Sequence, residues 1–195
     1  YIANRSSGKQ GFALAGALAE LGAEVALVAG PVEQPTPVGV TRVDVETALQ
    51  MEAAVQAALP ADVAVCVAAV ADWRISEGCS GEKLKKSKDG IPALNLCENP
   101  DILKGIAAMT DGRPSLVIGF AAETENMIEY AKAKRLRKGC DIIVANDVSD
   151  STCIMGGSDN QVHIIDNSDV ESWPSMSKDD VAAALAKMIA TKLGS

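Results

Sequence analysis

Residues 61–72, with the sequence ADVAVCVAAVAD, are apolar along almost their whole length. A continuous apolar run of this kind is typical of a central strand that is buried on both faces, as in a parallel sheet. The run SLVIGFAAET, at residues 115–124, predicts a second buried strand. These two stretches favour a sheet that is covered by helices on both sides.

Shorter apolar runs alternate with helical patterns on either side of these two strands. Further strands are predicted at residues 24–30, 40–45, 141–149 and 161–166, the last of them at a sheet edge. Helices are predicted at residues 12–23, 47–59, 99–109, 125–139 and 177–193. Asn99 and Ser177 are predicted to cap helix starts, and Gly139 a helix end. This alternation predicts an α/β class, with a Rossmann-like three-layer fold and a mainly parallel sheet.

One zone, at residues 73–97, departs from the alternation. It is rich in Lys, Gly and Ser, and then shows a two-residue alternation in IPALNLCE, at residues 91–98. This pattern predicts a flap followed by a short strand pair outside the main sheet.

Composition excludes several classes of protein. With 195 residues, of which 48% are apolar and 3% aromatic, the chain suits one domain whose core is built from Ala, Val, Ile and Leu. The net charge of -8 argues against nucleic-acid binding. Five scattered cysteines and one histidine argue against a zinc site and are typical of reduced thiols in a cytoplasmic protein. No apolar run reaches the roughly 20 residues that cross a membrane.

Three stretches carry cations or glycines in unusual density: NRSSGKQG at residues 4–11, GEKLKKSKDG at residues 81–90, and KAKRLRKG at residues 132–139. A helix N-terminus with small residues attracts anions, and a plain loop that caps the helix is the alternative for the first stretch. A lysine run is usually a solvated loop, and cations at a helix end favour the helix dipole. Taken together, the three stretches predict a pocket for a polyphosphate.

Common nucleotide motifs do not match the first stretch. Gly8 and Gly11 do not complete a GxGxxG fingerprint, and a P-loop is absent. Tyr130 and Lys134 form the YxxxK of a short-chain dehydrogenase, which leaves an NAD(P)-dependent oxidoreductase as an alternative. However, the predicted strand at residues 24–30 ends at Gly30 and is followed by Pro31, without a carboxylate for a ribose.

Seven stretches, in this order, resemble phosphopantothenoylcysteine synthetases: YIANRSSGKQGFALA, AAVADWR, EKLKK, ENPDIL, VIGFAAET, AKRLRK and ANDVS. The resemblance runs from residue 1 to about residue 149 and is weaker, though compatible, beyond it. In bacteria this family is often the C-terminal half of a bifunctional coenzyme A biosynthesis protein, either fused to or associated with a phosphopantothenoylcysteine decarboxylase.

The resemblance implies a ligase that joins 4′-phosphopantothenate to L-cysteine. CTP is the co-substrate and Mg²⁺ the metal ion, with Mn²⁺ as an alternative. The implied intermediate is an acyl-cytidylate. The preference for CTP over ATP follows from the family and not from any base-reading group in the chain, and no metal ligands are implied.

The resemblance also implies roles for individual residues. The implied catalytic residues are Asn4, which handles the acyl-cytidylate, and Lys83, which contacts the nucleotide. The implied CTP-binding residues are Cys66, Val67, Ala68, Asp72, Lys83, Pro100, Asp101, Ile102, Leu103, Phe120, Lys134 and Lys138. The implied substrate-binding residues are Asn4, Ser6, Ser7, Gly8 and Ala69.

Finally, the resemblance bears on domain organisation. Residues 1–195 are expected to form one synthetase domain, and residues 73–97 a flap and dimerisation excursion within it, in a cytoplasmic homodimer. Family members carry a central strand and a glycine-rich turn ahead of the position where this chain starts. Strand edges are therefore expected to be exposed, and a truncated subunit that binds nucleotide without turnover stays open as an alternative.

Overall fold

The computed structural model describes residue 4 and residues 6–76, 94–123, 126–147 and 159–194. The helices of this part of the chain are α1 (Lys9–Glu20), α2 (Ala48–Ala57), α3 (Ile102–Ala107), α4 (Met127–Lys138) and α5 (Lys178–Leu193). Its strands are β1 (Val25–Ala29), β2 (Val40–Asp44), β3 (Val63–Cys66), β4 (Trp73–Ile75), β5 (Leu96–Glu98), β6 (Leu116–Glu123), β7 (Ile142–Asp147), β8 (Asp159–Asn160), β9 (Val162–Ile165), β10 (Val170–Ser172) and β11 (Met176–Ser177). None of the helices so described is long and apolar enough to cross a membrane.

A five-stranded sheet, in the order β10-β9-β7-β6-β3, forms the centre of the fold. β3, β6 and β7 are parallel, with Val63 opposite Leu116 and Ile118 opposite Ile142. β9 runs antiparallel to β7, and β10 runs antiparallel to β9. With the separate parallel pair of β1 and β2, most of the large strands are parallel, as the sequence predicts.

Helices cover both faces of this sheet, because successive strand residues point to opposite sides. On one face the strands pack against α1 and α5 through buried residues that include Leu14, Ile118, Val144, Val162 and Leu185. On the other face they pack against α3 and α4 through Leu103, Ile106, Val117, Ala131 and Ile143. Burial of each large aliphatic side chain contributes about 1.5–3 kcal/mol. The predicted three-layer α/β fold is confirmed.

The pair formed by β1 and β2 does not hydrogen-bond to the larger sheet. α1 connects the two, because its Leu14 belongs to the core of the larger sheet while its Phe12 ring lies 5.0 Å from the guanidinium of Arg42 on β2. Within the described residues, one edge of β1 and one edge of β3 have no partner strand.

The prediction of a buried central strand over residues 61–72 is wrong in two respects. β3 covers only Val63–Cys66, and it lies at an edge of the five-stranded sheet with all four residues partly exposed. A central strand has a neighbouring strand on each side, which helps to bury it. Among the described residues, β3 pairs only with β6. From Val67 onward the chain leaves the sheet as a loop.

A short antiparallel ribbon lies outside the larger sheet, with β4 and β5 paired so that Trp73 is opposite Glu98. The sequence predicts a strand pair within residues 91–98, after a flap. Instead the two strands stand at either end of the irregular zone. Residues 77–93, the middle of the predicted flap and dimerisation excursion at residues 73–97, lie outside the described residues.

Two of the three predicted helix caps are correct. The Ser177 hydroxyl accepts a hydrogen bond from the Asp180 N–H, and Gly139 ends α4 with a φ of 70°. The predicted cap at Asn99 is wrong, because α3 is capped by Asp101. α3 begins at Ile102, so Asp101 occupies the cap position, and the Asn99 amide is bound to the carbonyl groups of Ala71 and Trp73 instead.

The last predicted strand is correct in position but not at an edge. β9 is followed by a tight turn, and β10 then pairs outside it. The Asp166 carboxylate holds this turn by accepting hydrogen bonds from the N–H groups of Ser168 and Asp169, at 2.9 and 3.0 Å.

Candidate active site

The loop that follows β3, at residues 67–72, is held by two asparagine side chains from distant parts of the sequence. The Asn4 Nδ2 donates to the carbonyl oxygen of Val70 at 3.3 Å. The Asn99 Nδ2 donates to the carbonyl oxygens of Ala71, at 2.8 Å, and Trp73, at 3.3 Å. Residue 4 and the segment around Asp72, both predicted site positions, therefore meet at this loop.

Asp72 lies between the two carbonyl groups that Asn99 binds. Its own carbonyl oxygen accepts a hydrogen bond from the backbone N–H of Asn99 at 2.8 Å. Three hydrogen bonds from one residue thus fix the backbone on both sides of Asp72. Asp72 itself is exposed, so its carboxylate is available to a ligand.

Asp101 joins the start of α3 to the end of α4. One carboxylate oxygen accepts from the Lys104 N–H at 3.1 Å, and the other forms an ion pair with Lys138 in the last turn of α4. Burial opposes ionisation of this carboxyl. The hydrogen bonds from Lys138 and Lys104 outweigh that effect, so the pKa of Asp101 is lowered. At neutral pH the site holds an ionised pair.

Lys134 reaches from α4 to β6, where its Nζ donates to the carbonyl oxygen of Phe120 at 3.0 Å. Phe120 is partly buried and packs against the core on the α1 and α5 side. Tyr130, which with Lys134 suggested a dehydrogenase, is 53% exposed. The two side chains of that motif therefore have different surroundings.

The end of β3, at Cys66, and the residues that follow it are apolar. Burial, followed by the charges of Cys140 and Asp101, raises the pKa of the Cys66 thiol to about 11. The thiol is protonated at neutral pH and is suited to lining a pocket, not to nucleophilic attack. Val67 is partly buried against α1, where a Cβ on Gly11 would lie 3.6 Å from the Val67 Cβ. Ala68 and Ala69 are exposed.

The start of α1 has the features of an anion site. Gly8 has a φ of 72°, and no side chain caps the first turn of the helix. A Cβ on Gly8 would lie 3.1 Å from Val32 Cγ2, so both conformation and space favour glycine. Ser6 and Ser7 precede it and are exposed. Unpaired N–H groups at a helix N-terminus attract negative charge.

The remaining predicted nucleotide-binding residues lie at the start of α3 or outside the described residues. Lys83, like the rest of the lysine run at residues 83–88, lies outside the described residues. Pro100, Ile102 and Leu103 surround the start of α3, and Leu103 is buried in the core. A cavity of about 460 Å³ lies near the amino ends of β6 and β7 and is lined by Arg135, Asp166 and Lys192, among others. None of the predicted site residues lines that cavity.

The described residues do not form a magnesium site by themselves. The described part of the chain contains no group of three or more His, Cys, Asp or Glu side chains that could hold a metal ion. Mg²⁺ is usually held by one or two carboxylates together with waters and substrate phosphates. Asp72 could supply such a carboxylate, whereas the carboxylate of Asp101 is engaged by Lys138 and Lys104.

Sequence reasoning missed the role of Asn99, which it treated as a helix cap. One feature of the sequence could have indicated this role: Asn99 lies immediately after the alternating stretch at residues 91–98 and before Pro100. Its partners, Ala71 and Trp73, lie 28 and 26 residues away, and a local pattern does not show such contacts.

Known proteins resemble the chain over nearly its whole length. It is 50% identical over 167 residues to the coenzyme A biosynthesis bifunctional protein CoaBC of Escherichia coli strain K12. It is 44% identical over 191 residues to the protein of that name from Vibrio cholerae. These matches cover 84% and 97% of the chain, but 41% and 47% of the relatives. The chain thus spans less than half the length of these curated relatives.

A solved structure and a family model agree with these matches. The crystal structure of the C-terminal domain of CoaBC is 37% identical, with a TM-score of 0.78, over 98% of this chain and 85% of that one. The model of the DNA/pantothenate metabolism flavoprotein C-terminal domain matches residues 1–193. The resemblance seen in the sequence is confirmed, and the chain belongs to the DNA/pantothenate metabolism flavoprotein C-terminal domain family.

Proposed function

We propose that the chain catalyses the CTP-dependent ligation of 4′-phosphopantothenate to L-cysteine, a step of coenzyme A biosynthesis. A carboxylate oxygen of phosphopantothenate attacks the α-phosphorus of CTP, and the bond from that phosphorus to pyrophosphate breaks. The cysteine amine then attacks the acyl carbon of the acyl-cytidylate. The bond from that carbon to the CMP oxygen breaks, and the amine loses a proton.

The observation that carries this proposal is the meeting of Asn4 with the segment around Asp72. Asn4 binds Val70, two residues before Asp72, and lies just before the start of α1. The residue proposed to act on the acyl group therefore binds the loop that carries the residue proposed to bind the nucleotide. An acyl-cytidylate requires this arrangement, because its acyl group and its nucleotide are covalently joined.

Binding of CTP requires cations that neutralise the negative charge of its triphosphate. Lys138 and Lys134 both extend from α4, and each is held by an acceptor that a phosphate oxygen could replace. Lys83, whose role comes from the family resemblance, would add a cation to the departing pyrophosphate. Fixed cations directed at developing negative charge are an effective way to stabilise such a transition state.

The acid side of the site would use the start of α1. Ser6, Ser7 and Gly8 are placed to bind an anionic group of phosphopantothenate, and Ala69 would contact its pantothenate portion. The Asn4 amide can donate to the acyl oxygen and orient the amine without changing its own protonation state. It would first have to exchange its present bond to Val70.

Mg²⁺, or Mn²⁺ in its place, would neutralise charge on the triphosphate, with Asp72 as the carboxylate of the described residues that could contribute to holding it. The residues of the chain itself would bind, orient and neutralise the reactants.

We also propose that the chain acts as a homodimer through the ribbon of β4 and β5. Trp73 and Ile75 lie on one face of β4, and Leu96 lies opposite Ile75. Trp73, Ile75, Leu94 and Leu96 are between 36% and 50% exposed. Exposed apolar side chains on one face of a small ribbon favour contact with another protein surface.

A cytoplasmic location is proposed from the cysteines and the family. Cys66, Cys97 and Cys140 are all free thiols in the described part of the chain. The named relatives are bifunctional proteins about twice as long as this chain. Fusion to, or association with, a phosphopantothenoylcysteine decarboxylase is proposed on that basis.

The deciding experiment measures pyrophosphate release from CTP and Mg²⁺ by the purified chain, with and without 4′-phosphopantothenate, and then with cysteine. We expect release only when the acid is present, and continuous turnover only when cysteine is added. CTP binding without any release would favour a nucleotide-binding subunit without turnover. Saturable fluorescence changes with NADPH, and none with CTP, would favour the oxidoreductase.

A further inference from the structure

Asn99 occupies the junction between the ribbon and the loop that carries Asp72. β4 begins one residue after Asp72, and β5 ends one residue before Asn99. Asn99 is followed within two residues by Asp101, which binds Lys138. Asn99 thus lies between two parts of the proposed nucleotide site, the loop with Asp72 and the start of α3 with Asp101. It hydrogen-bonds directly to the first of them.

The hydrogen bonds of Asn99 define the orientation of its amide. Its Nδ2 faces two carbonyl oxygens, those of Ala71 and Trp73, so it must be the nitrogen that points to them. The Oδ1 atom is buried and has no hydrogen-bond partner among the described residues. A partly buried side chain that satisfies the backbone of another segment restricts the positions that this segment can take.

We propose that Asn99 is a positioning residue for nucleotide binding: its side-chain amide fixes the backbone on both sides of Asp72 and so directs the Asp72 carboxylate. This inference rests on the proposed function. Asn99 acts through Asp72, and it need not touch the nucleotide.

Asn99→Asp should disturb the hydrogen bonds to Ala71 and Trp73 more than Asn99→Ala does. Asn99→Asp keeps the shape of the side chain but replaces the Nδ2 donor with an oxygen, which would face two carbonyl oxygens at close range. Asn99→Ala removes the amide without adding charge. Asn167→Asp is the matched control, because Asn167 is an exposed asparagine whose amide oxygen binds Arg135, away from the ribbon.

A double-mutant cycle distinguishes positioning of Asp72 from a general loss of structure. We expect Asn99→Ala to weaken binding of CTP with Mg²⁺ by about tenfold, and Asn99→Asp to weaken it further. In an Asp72→Asn background, Asn99→Ala should change the affinity by less than about twofold, because the group it positions has already been altered. The control Asn167→Asp should bind as the unaltered chain does. Calorimetry measures these affinities, and thermal unfolding of each variant reports its stability.

Two results would overturn the inference. One is unchanged affinity in both Asn99 variants while the unaltered chain binds CTP with Mg²⁺. The other is an equal loss of affinity from Asn99→Ala with and without Asp72, which would mean that Asn99 acts independently of that carboxylate. A separate result, no binding of CTP with Mg²⁺ by the unaltered chain, would overturn the proposed function and this role with it.

Discussion

Gly119 of β6 lies directly against Leu103 of α3. A Cβ on Gly119 would be 2.5 Å from Leu103 Cδ2 and 2.8 Å from Cδ1 of Ile143. Real Cβ atoms do not approach other heavy atoms so closely, and both neighbours are buried. The absence of a side chain at Gly119 allows α3, which begins beside Asp101, to sit close to the sheet.

We therefore expect Gly119→Ala to destabilise the chain by about 1–3 kcal/mol, because overpacking displaces Leu103. Denaturant unfolding checks this, and the same variant should also bind CTP less tightly. Gly105→Ala on α3 is the matched control, because no heavy atom lies within 4 Å of its added Cβ. It should be neutral or stabilising by up to about 1 kcal/mol. A loss of stability in Gly105→Ala as large as in Gly119→Ala would show that the close approach is not the cause.

Lys138→Gln should weaken binding of CTP with Mg²⁺ by about tenfold or more, because a charge-assisted contact to phosphate is lost. Calorimetry at low and high salt gives the affinity, and the salt dependence should become shallower in the variant. Lys132→Gln is the control, since Lys132 lies on the same helix in an exposed pair with Glu129. Equal effects of the two substitutions would mean that α4 contributes only a diffuse positive charge.

Asn4→Asp should separate the two proposed chemical steps. Pyrophosphate release should still occur once per active site, because formation of the acyl-cytidylate does not need the amide. Its discharge by cysteine should slow by about a hundredfold or more, since a carboxylate repels the developing oxyanion. Rapid quenching of a single turnover measures both steps. Normal rates in both would remove Asn4 from the mechanism.

Ile75→Glu should dissociate the proposed dimer, because a charge on the apolar face of the ribbon would have to be buried at the interface. Sedimentation over a range of concentrations measures the association. Leu136→Glu is the control, since Leu136 is an exposed apolar residue on α4, at 72% exposure. A chain that is monomeric before any substitution, or an Ile75→Glu variant that remains dimeric, would contradict the proposed surface.

Stability at low pH should depend on Asp166. The N–H group of Ser168 is the main cause that lowers the pKa of this carboxyl from 3.8 to about 2, and the N–H of Asp169 and the ammonium of Lys192 also contribute. A lowered folded-state pKa stabilises the fold fully above pH 3.8, and this contribution is lost as the pH falls toward 2. Because the side chain is partly exposed, screening limits the effect to about 1 kcal/mol.

The corresponding experiment compares unfolding of the unaltered chain and Asp166→Asn at several pH values. The difference should be about 1 kcal/mol at neutral pH and should shrink as the pH falls from 3.8 through 2. Asp111→Asn, in the exposed loop before β6, serves as the control. A difference that stays constant down to pH 2 would show that the Asp166 charge does not stabilise the turn.

Features that depend on neighbouring residues could be predicted from the sequence, and features that depend on distant partners could not. The strand at Ile142–Asp147 and the cap at Ser177 follow from local apolar runs and local hydrogen bonding. The edge position of β3 depends on which strands pair with it. The role of Asn99 depends on a contact with a segment 26 to 28 residues earlier.

Within the site, the family resemblance supplied what local patterns could not. Lys134 and Lys138 are four residues apart, which places them on one face of α4, but their acceptors, Phe120 and Asp101, lie on other elements. Sequence alone also did not show that Asp101 would be the cap of α3, because the choice between it and Asn99 depends on the partners of Asn99.

The separation of β1 and β2 from the larger sheet has a consequence for local unfolding. Backbone hydrogen bonds run within each of the two sheets, and side chains of the helices provide the link between them. Local opening of β1 and β2 should therefore cost less free energy than opening of β6 and β7. The amide protons of β1 and β2 should exchange with deuterated solvent well before those of β6 and β7. A strand that paired with both β1 and β3 would merge the two sheets, and the exchange rates of β1, β2, β6 and β7 would then converge.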